Sequence, residues 1–231
     1  MSDHRRARLL IWFGLAAAAI GLLIAALLPG PDASRATGAG FGPGPVTPGT
    51  PVTPAWAAID GLAPGLEPDS TNPCQAGRVD CLDVVVAEME ARFTALACQH
   101  TAPFAFTYLE TTREVQRRVA DPEFFVEPAV VSQLDALFAR LYFDAIDNWK
   151  AGRVEDVPGA WRLAFQAAEE GRTSAAADVF LGMNAHISRD LAYAVAQVVG
   201  ANTGMIADPT DYLRVNEIIA EVQGPMLDGA A

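Results

Sequence analysis

Lysine occurs once in the 231 residues, at Lys150, and histidine three times, at His4, His100 and His186. Basic charge is therefore almost all arginine, and it is outnumbered: 16 Lys and Arg face 28 Asp and Glu, a formal net charge of −12. Up to residue 31 the charges are Arg5, Arg6 and Arg8 against Asp3, so the remainder holds 13 basic and 27 acidic residues, a balance of −14. A surface so acidic repels phosphate backbones, which argues against a nucleic-acid partner. It repels anionic headgroups too, so the main body is not expected to lie flat on a membrane.

Signatures of several chemistries are missing. The three cysteines, Cys74, Cys81 and Cys98, contain no Cys-x-x-Cys spacing, which leaves a thiolate metal site without support. There is no His-x-x-x-His, no His-Glu-x-x-His, no Gly-x-Ser-x-Gly and no phosphate-cradling glycine loop. No segment alternates convincingly with period two, so strands are not expected.

What is present begins with an apolar run. Residues 9–28 read LLIWFGLAAAAIGLLIAALL without a charge, and at about 1.5 Å per residue they span roughly 30 Å, the thickness of a bilayer core. The arginines before the run place residues 1–8 in the cytoplasm and everything after residue 30 outside. The expectation is a retained single-pass anchor in the cell membrane. The alternative is a cleaved signal peptide, for which the run is long and the small-residue candidate Thr37-Gly38-Ala39 lies well beyond its end. Either way the body is extracytoplasmic.

Residues 29–74 are rich in Gly, Pro, Ala and Thr and repeat Pro-Val-Thr-Pro at 45–48 and 51–54. Such composition reads as an extended spacer, with Trp56 and its neighbours as the first contact with the domain. In an exported domain Cys74 and Cys81 close a short loop and are expected to bridge. Cys81 and Cys98 would stand roughly 25 Å apart on one helix, too far to join, so Cys98 is expected as a buried thiol.

From Asp80 onward the three- and four-residue spacing of apolar side chains predicts helix after helix. Asp80 is placed as the first cap, ahead of Leu82, Val85, Val86, Met89, Phe93 and Leu96. The second helix follows Pro103 and carries Phe104, Tyr108, Thr112, Val115 and Val119; Pro122 closes it. A third runs from Pro128 to about Lys150, and a fourth from Ala160 to Glu170. Thr173 or Ser174 caps a fifth that reaches Val199, and Asp208-Pro209 opens a sixth with Tyr212, Val215, Ile218, Ile219 and Val222. The expected fold is all-α, a bundle-like exported domain of five to six helices in residues 75–231, behind one transmembrane helix.

The fifth helix holds the polar residues that matter. At about 100° per residue, Asp190 falls about 40° from His186, inside an arc with Val179, Phe180, Met183, Ile187 and Leu191. Gly182, on the other side, leaves room beside the imidazole. A carboxylate turned inward must be paired or protonated, and His186 is its natural partner. Asn184 lies at the edge of the same arc. The candidate catalytic residues are His186, Asp190 and Asn184, with His186 as base and Asp190 orienting it. His186 and Asp190 are also two candidate ligands for a divalent metal. Tyr108, Thr112, Asn148, Tyr193 and Asn216, polar groups near apolar stripes on several helices, are candidate ligand- or cofactor-binding residues. The bland reading is a buried hydrogen-bonded brace.

The run Gly182-Met183-Asn184-Ala185-His186-Ile187-Ser188-Arg189-Asp190-Leu191 resembles the signature of an uncharacterised bacterial all-helical family, Gly-(Met/Ile)-Asn-Ala-His-Ile-Asn-x-Asp-Leu. Ser188 stands where that signature has its second Asn. The likeness extends over residues 80–222 and takes in Tyr108 with Thr112, Tyr142-Phe143, Trp149, Pro158 with Trp161, and Val215-Asn216. It implies a helical domain built around an Asn-His-Asp motif and supplies no reaction. Two functions stay open: a hydrolase-like or metal-assisted enzyme, and a non-catalytic envelope module whose polar pocket takes a small molecule or a partner.

Overall fold

Apolar faces at helical spacing on successive segments have to be buried against one another, and the computed structural model does this with helices alone. It describes residues 56–171, 173–202 and 210–229, all within the compact unit Val46–Ala231. The apolar run 9–28 and most of the proline-rich stretch lie outside the described residues. Among the described residues there is no strand, and no helix is long and apolar enough to cross a membrane.

A single turn, Ala57–Asp60, is followed by α1 (Cys81–Leu96), α2 (Ala102–Val119), α3 (Pro128–Lys150), α4 (Gly159–Glu169), α5 (Ala175–Ala185), α6 (Leu191–Ala201) and α7 (Thr210–Gly229). Helix α3 is central, touching α1, α2, α4, α6 and the 57–60 turn, while α5 packs on α2 and α4, and α7 on α2. Pro128 occupies the first turn of α3, where a missing N–H costs nothing. The N–H groups of Val126 and Glu127 donate to the carboxylate of Asp211, each at 2.8 Å, so the start of α3 is capped from α7. Gly152 and Gly171 end α3 and α4 with φ of 72° and 59°, a region where a Cβ is strained.

Three expectations change. Asp80 does not cap α1: its own backbone is helical and its carboxylate pairs with Arg78 at 3.1 Å. Cys98 is exposed, not buried, because α1 stops at Leu96 and Ala97, with φ of 50°, carries the chain onto a surface turn. The long fifth helix is not one α-helix. Ser174 caps it as anticipated, accepting from the Ala177 N–H, but residues His186–Asp190 form a π turn between α5 and α6.

Residues 56–74, spacer-like in composition, are docked on the bundle. Trp56, Ile59, Leu62 and Cys74 are buried, and Cys74 is bridged to Cys81 with Cα atoms 4.6 Å apart. Polar side chains meet the backbone of this strap: Asn202 accepts from the Leu66 N–H at 2.9 Å and donates to the Pro64 carbonyl at 3.0 Å, and Gln133 donates to the Ala63 carbonyl at 3.1 Å. Trp56 is held by Arg92, whose guanidinium lies 4.7 Å over its ring and 4.1 Å over Phe143 while pairing with Glu88 and Asp147.

Candidate functional site

A π turn accommodates one extra residue, so helical positions on either side of it are rotated relative to a continuous α-helix. The angular count therefore fails for residues beyond the turn, while the positions before it, within regular α5, keep their angles and are turned by packing alone. Asp178, Gly182, Ala185, His186, Asp190, Ala194 and Val198 are buried, a stripe of small and polar residues. Phe180 and Ile187, expected inward, are exposed. The reason is volume. The space opposite is filled by aromatic rings from α2, α3 and α4, and only a thin stripe fits against them. A Cβ on Gly182 would stand 2.5 Å from the Phe104 ring, so the gap beside the imidazole is taken by that phenyl.

His186 is 3% exposed. Its ring lies flat on Phe138, with centroids 3.6 Å apart and planes 7° apart, and the Tyr108 ring crosses it at 4.3 Å. Phe104 and Trp161 each stand 5.8 Å away. Nδ1 lies 3.0 Å from Oδ2 of Asp190. The Trp161 indole N–H donates to the same oxygen at 2.7 Å, and Arg189 donates to Oδ1. Asp190 is wholly buried and can act only as an acceptor toward these donors, which puts the imidazole proton on Nδ1 and leaves Nε2 as a lone pair. Burial lowers the His186 pKa, against the opposing pull of Asp190, so the ring is held neutral. Nε2 is buried and has no hydrogen-bond partner.

Other orphaned groups lie on the facing helices. The Tyr108 hydroxyl and the Thr112 hydroxyl, one turn apart on α2, are buried without partners. Burial, reinforced by the charges of Asp135 and Asp190, raises the Tyr108 pKa well above its ordinary value and keeps the phenol protonated. Asp135 on α3 has an unpartnered buried Oδ2, and desolvation pushes its pKa to about 7.

Residues 82–231 match a family of unknown function, DUF5995. The chain belongs to this family. The family span includes every residue of the His186 cluster and begins just after Cys81, so the docked strap and its disulfide precede it. No curated protein and no solved structure matches the chain.

The structure brings together only part of the predicted set within this family domain. His186, Asp190, Tyr108 and Thr112 belong to the aromatic interior. Tyr193 meets it through Arg189, whose guanidinium lies 4.8 Å over the tyrosine ring. Asn184 instead accepts from the Ser188 hydroxyl, 3.2 Å away at the surface. Asn148 accepts from Arg153 at 2.8 Å and braces the end of α3. Asn216 donates to the Tyr212 carbonyl on its own helix, and Tyr212, expected on an inner face, is exposed. As joint metal ligands, His186 and Asp190 are poorly arranged, because Nδ1 and Oδ2 are directed at each other and the remaining carboxylate oxygen meets Arg189. Among the described residues no group of three or more His, Cys, Asp or Glu converges on a metal position.

Sequence reasoning did not assign Trp161, Phe138, Arg189 or Asp135 to the site. Trp161 appeared only through the family resemblance. Asp135 carried one faint signal, its place three residues before Phe138 on the stripe of α3.

Proposed function

We propose that the chain is a membrane-anchored module, with residues 9–28 crossing the bilayer and the helical domain outside the cytoplasm, and that this domain holds a small molecule at His186. The observation that carries the binding site is the orphaned Nε2. A buried polar atom without a partner costs about 1–3 kcal/mol, and here it is borne at a π turn, a distortion that recurs at functional sites. A ligand donating a hydrogen bond to Nε2 removes that cost. The buried Cys74–Cys81 bridge supports export, since disulfides persist in oxidising compartments.

A second reading, acid–base catalysis of a hydrolase-like kind, draws on the same geometry: Asp190 holds Nδ1–H, and the neutral imidazole presents Nε2 as a base. Its weakness is the missing nucleophile, since Ser188 is exposed and bonded to Asn184. Binding is therefore the preferred statement.

The test is nitrogen NMR on the full-length chain labelled at histidine, screened against a library of small fragments. A binder should move the His186 Nε2 resonance by several ppm and leave His100 in place. If no fragment moves it, and His186→Gln melts like the wild type, the site reading is lost. A C-terminal tag open to protease in spheroplasts, on a protein that stays in the membrane after a high-salt wash, would match the anchored topology; release as a shorter soluble species would overturn it.

A further inference from the structure

Helices α2 and α3 run antiparallel through the aromatic cluster, with Phe104 against Tyr142 at 5.2 Å and Tyr108 against Phe138 at 5.8 Å. The next rung along α2 is Thr112, and the matching step back along α3 arrives at Leu134 and Asp135. Asp135 thus shares a face with Phe138, one turn away, and its charge reaches the Tyr108 phenol. Its side chain is half-buried while Oδ2 is shut off from solvent. The carboxyl stands on the α3 face that carries Phe138, with one oxygen closed off and the side chain partly open to solvent.

What Asp135 lacks is a cation. Among the described residues it has no ion-pair or hydrogen-bond partner. The arginines of α2, α3 and the π turn have other partners: Arg113 pairs with Glu90 and Glu110, Arg117 and Arg118 with Glu114, Arg189 with Asp190, and Arg140 donates to the backbone carbonyls of Asp60 and Leu62. An unpaired buried carboxyl is an expensive feature. The orphaned groups of the cluster, Nε2 of His186 and the two hydroxyls, can all accept hydrogen bonds, and the rings around them have faces that attract positive charge. With Asp135 and Asp190 flanking the site, an anionic ligand is repelled.

Building on the His186 reading above, we infer that the ligand is a small protonated amine, its ammonium on the Asp135 carboxylate beside the rings of Tyr108 and Phe138 and one donor directed at His186. Burial raises the Asp135 pKa to about 7, so an arriving ammonium also displaces the carboxyl proton, which leaves to solvent.

Calorimetry on the full-length chain in detergent tests this with two matched pairs, ethanolamine against ethylene glycol and n-butylamine against n-butanol. The expected result is amine binding at least tenfold tighter than that of the matched neutral compound. Asp135→Asn, a near-isosteric change, should weaken amine binding at least tenfold while the melting temperature rises. His186→Gln should weaken amine binding severalfold and keep the preference for amine over alcohol. Equal binding of amine and alcohol, unaltered amine binding in Asp135→Asn, or no amine binding at all each overturns the inference. Neutral fragments that move the His186 resonance while the amines are silent would overturn it and leave the His186 site standing.

Discussion

Removing the Asp190 carboxylate should show how much of the fold rests on the site. The side chain is wholly buried and receives the Trp161 indole N–H at 2.7 Å and His186 Nδ1 at 3.0 Å. Asp190→Ala leaves two buried donors unpaired, at about 1–3 kcal/mol each. Arg189 reaches solvent, so its lost partner adds little. A cost of roughly 3–5 kcal/mol is expected, or about 8–15 °C in melting temperature for a domain of this size. Asp190→Asn keeps an acceptor in place of Oδ2 but loses the charge and sets an NH2 against Arg189, which can turn to solvent, so it should cost about 1–2 kcal/mol. Trp161→Phe should cost about as much by itself, but in the Asp190→Ala background it removes an already orphaned N–H, and the pair should fall short of additivity by about 1–3 kcal/mol. Thermal and urea unfolding of the wild type, the single mutants and the double mutant supply the cycle. A shift below about 3 °C for Asp190→Ala, or strict additivity with Trp161→Phe, would refute the claim that this carboxylate holds the two donors.

Three further outcomes are expected. Gly182→Ala should destabilise by about 1–3 kcal/mol in urea titrations, because the new methyl would lie 2.5 Å from a Phe104 ring wedged among Tyr108, Tyr142 and Trp161; a neutral result would mean the ring yields. Cys74→Ser with Cys81→Ser opens a loop of sequence separation 7, and equilibrium unfolding should register a loss of roughly 2–3 kcal/mol on the chain-entropy estimate. Asp135 and Asp144, both raised from 3.8 to about 7 by burial, hold protons in the folded state that the unfolded chain has released, so their contribution is complete below about pH 4 and is lost as pH rises through about 7. His186, lowered by burial, acts oppositely and costs stability as pH falls below about 6.5. Asp135→Asn with Asp144→Asn should therefore raise the melting temperature at pH 8 and change it little at pH 4; equal shifts at both would contradict the assigned directions.

Much of the chain's organisation is local and was readable without coordinates. Helical spacing of Leu82 to Leu96, a helix opening at Pro128 and a cap at Ser174 are choices made over a few residues, where backbone preference and one apolar face suffice. The Cys74–Cys81 pairing was legible for the same reason, a short loop and no other partner in reach. The inward His186–Asp190 pair was legible as well, since an i, i+4 spacing brings the two groups together in either an α or a π turn.

The rest depended on what lies across the interior. Nothing local marks residues 186–190 as a π turn, and nothing local turns Phe180 and Ile187 outward. The inner face was selected by the bulk of Phe104, Phe138, Tyr142 and Trp161, which leaves room only for glycine, alanine and the polar pair. Trp161 reaches Asp190 across 29 positions of sequence, and Asp211 caps α3 across 85. Asn202 reaches the docked strap over 136 positions. Partners at such separations leave no period in the sequence, because they are chosen by packing in three dimensions. Those distant contacts decided which of the predicted polar residues became a site and which became caps and braces.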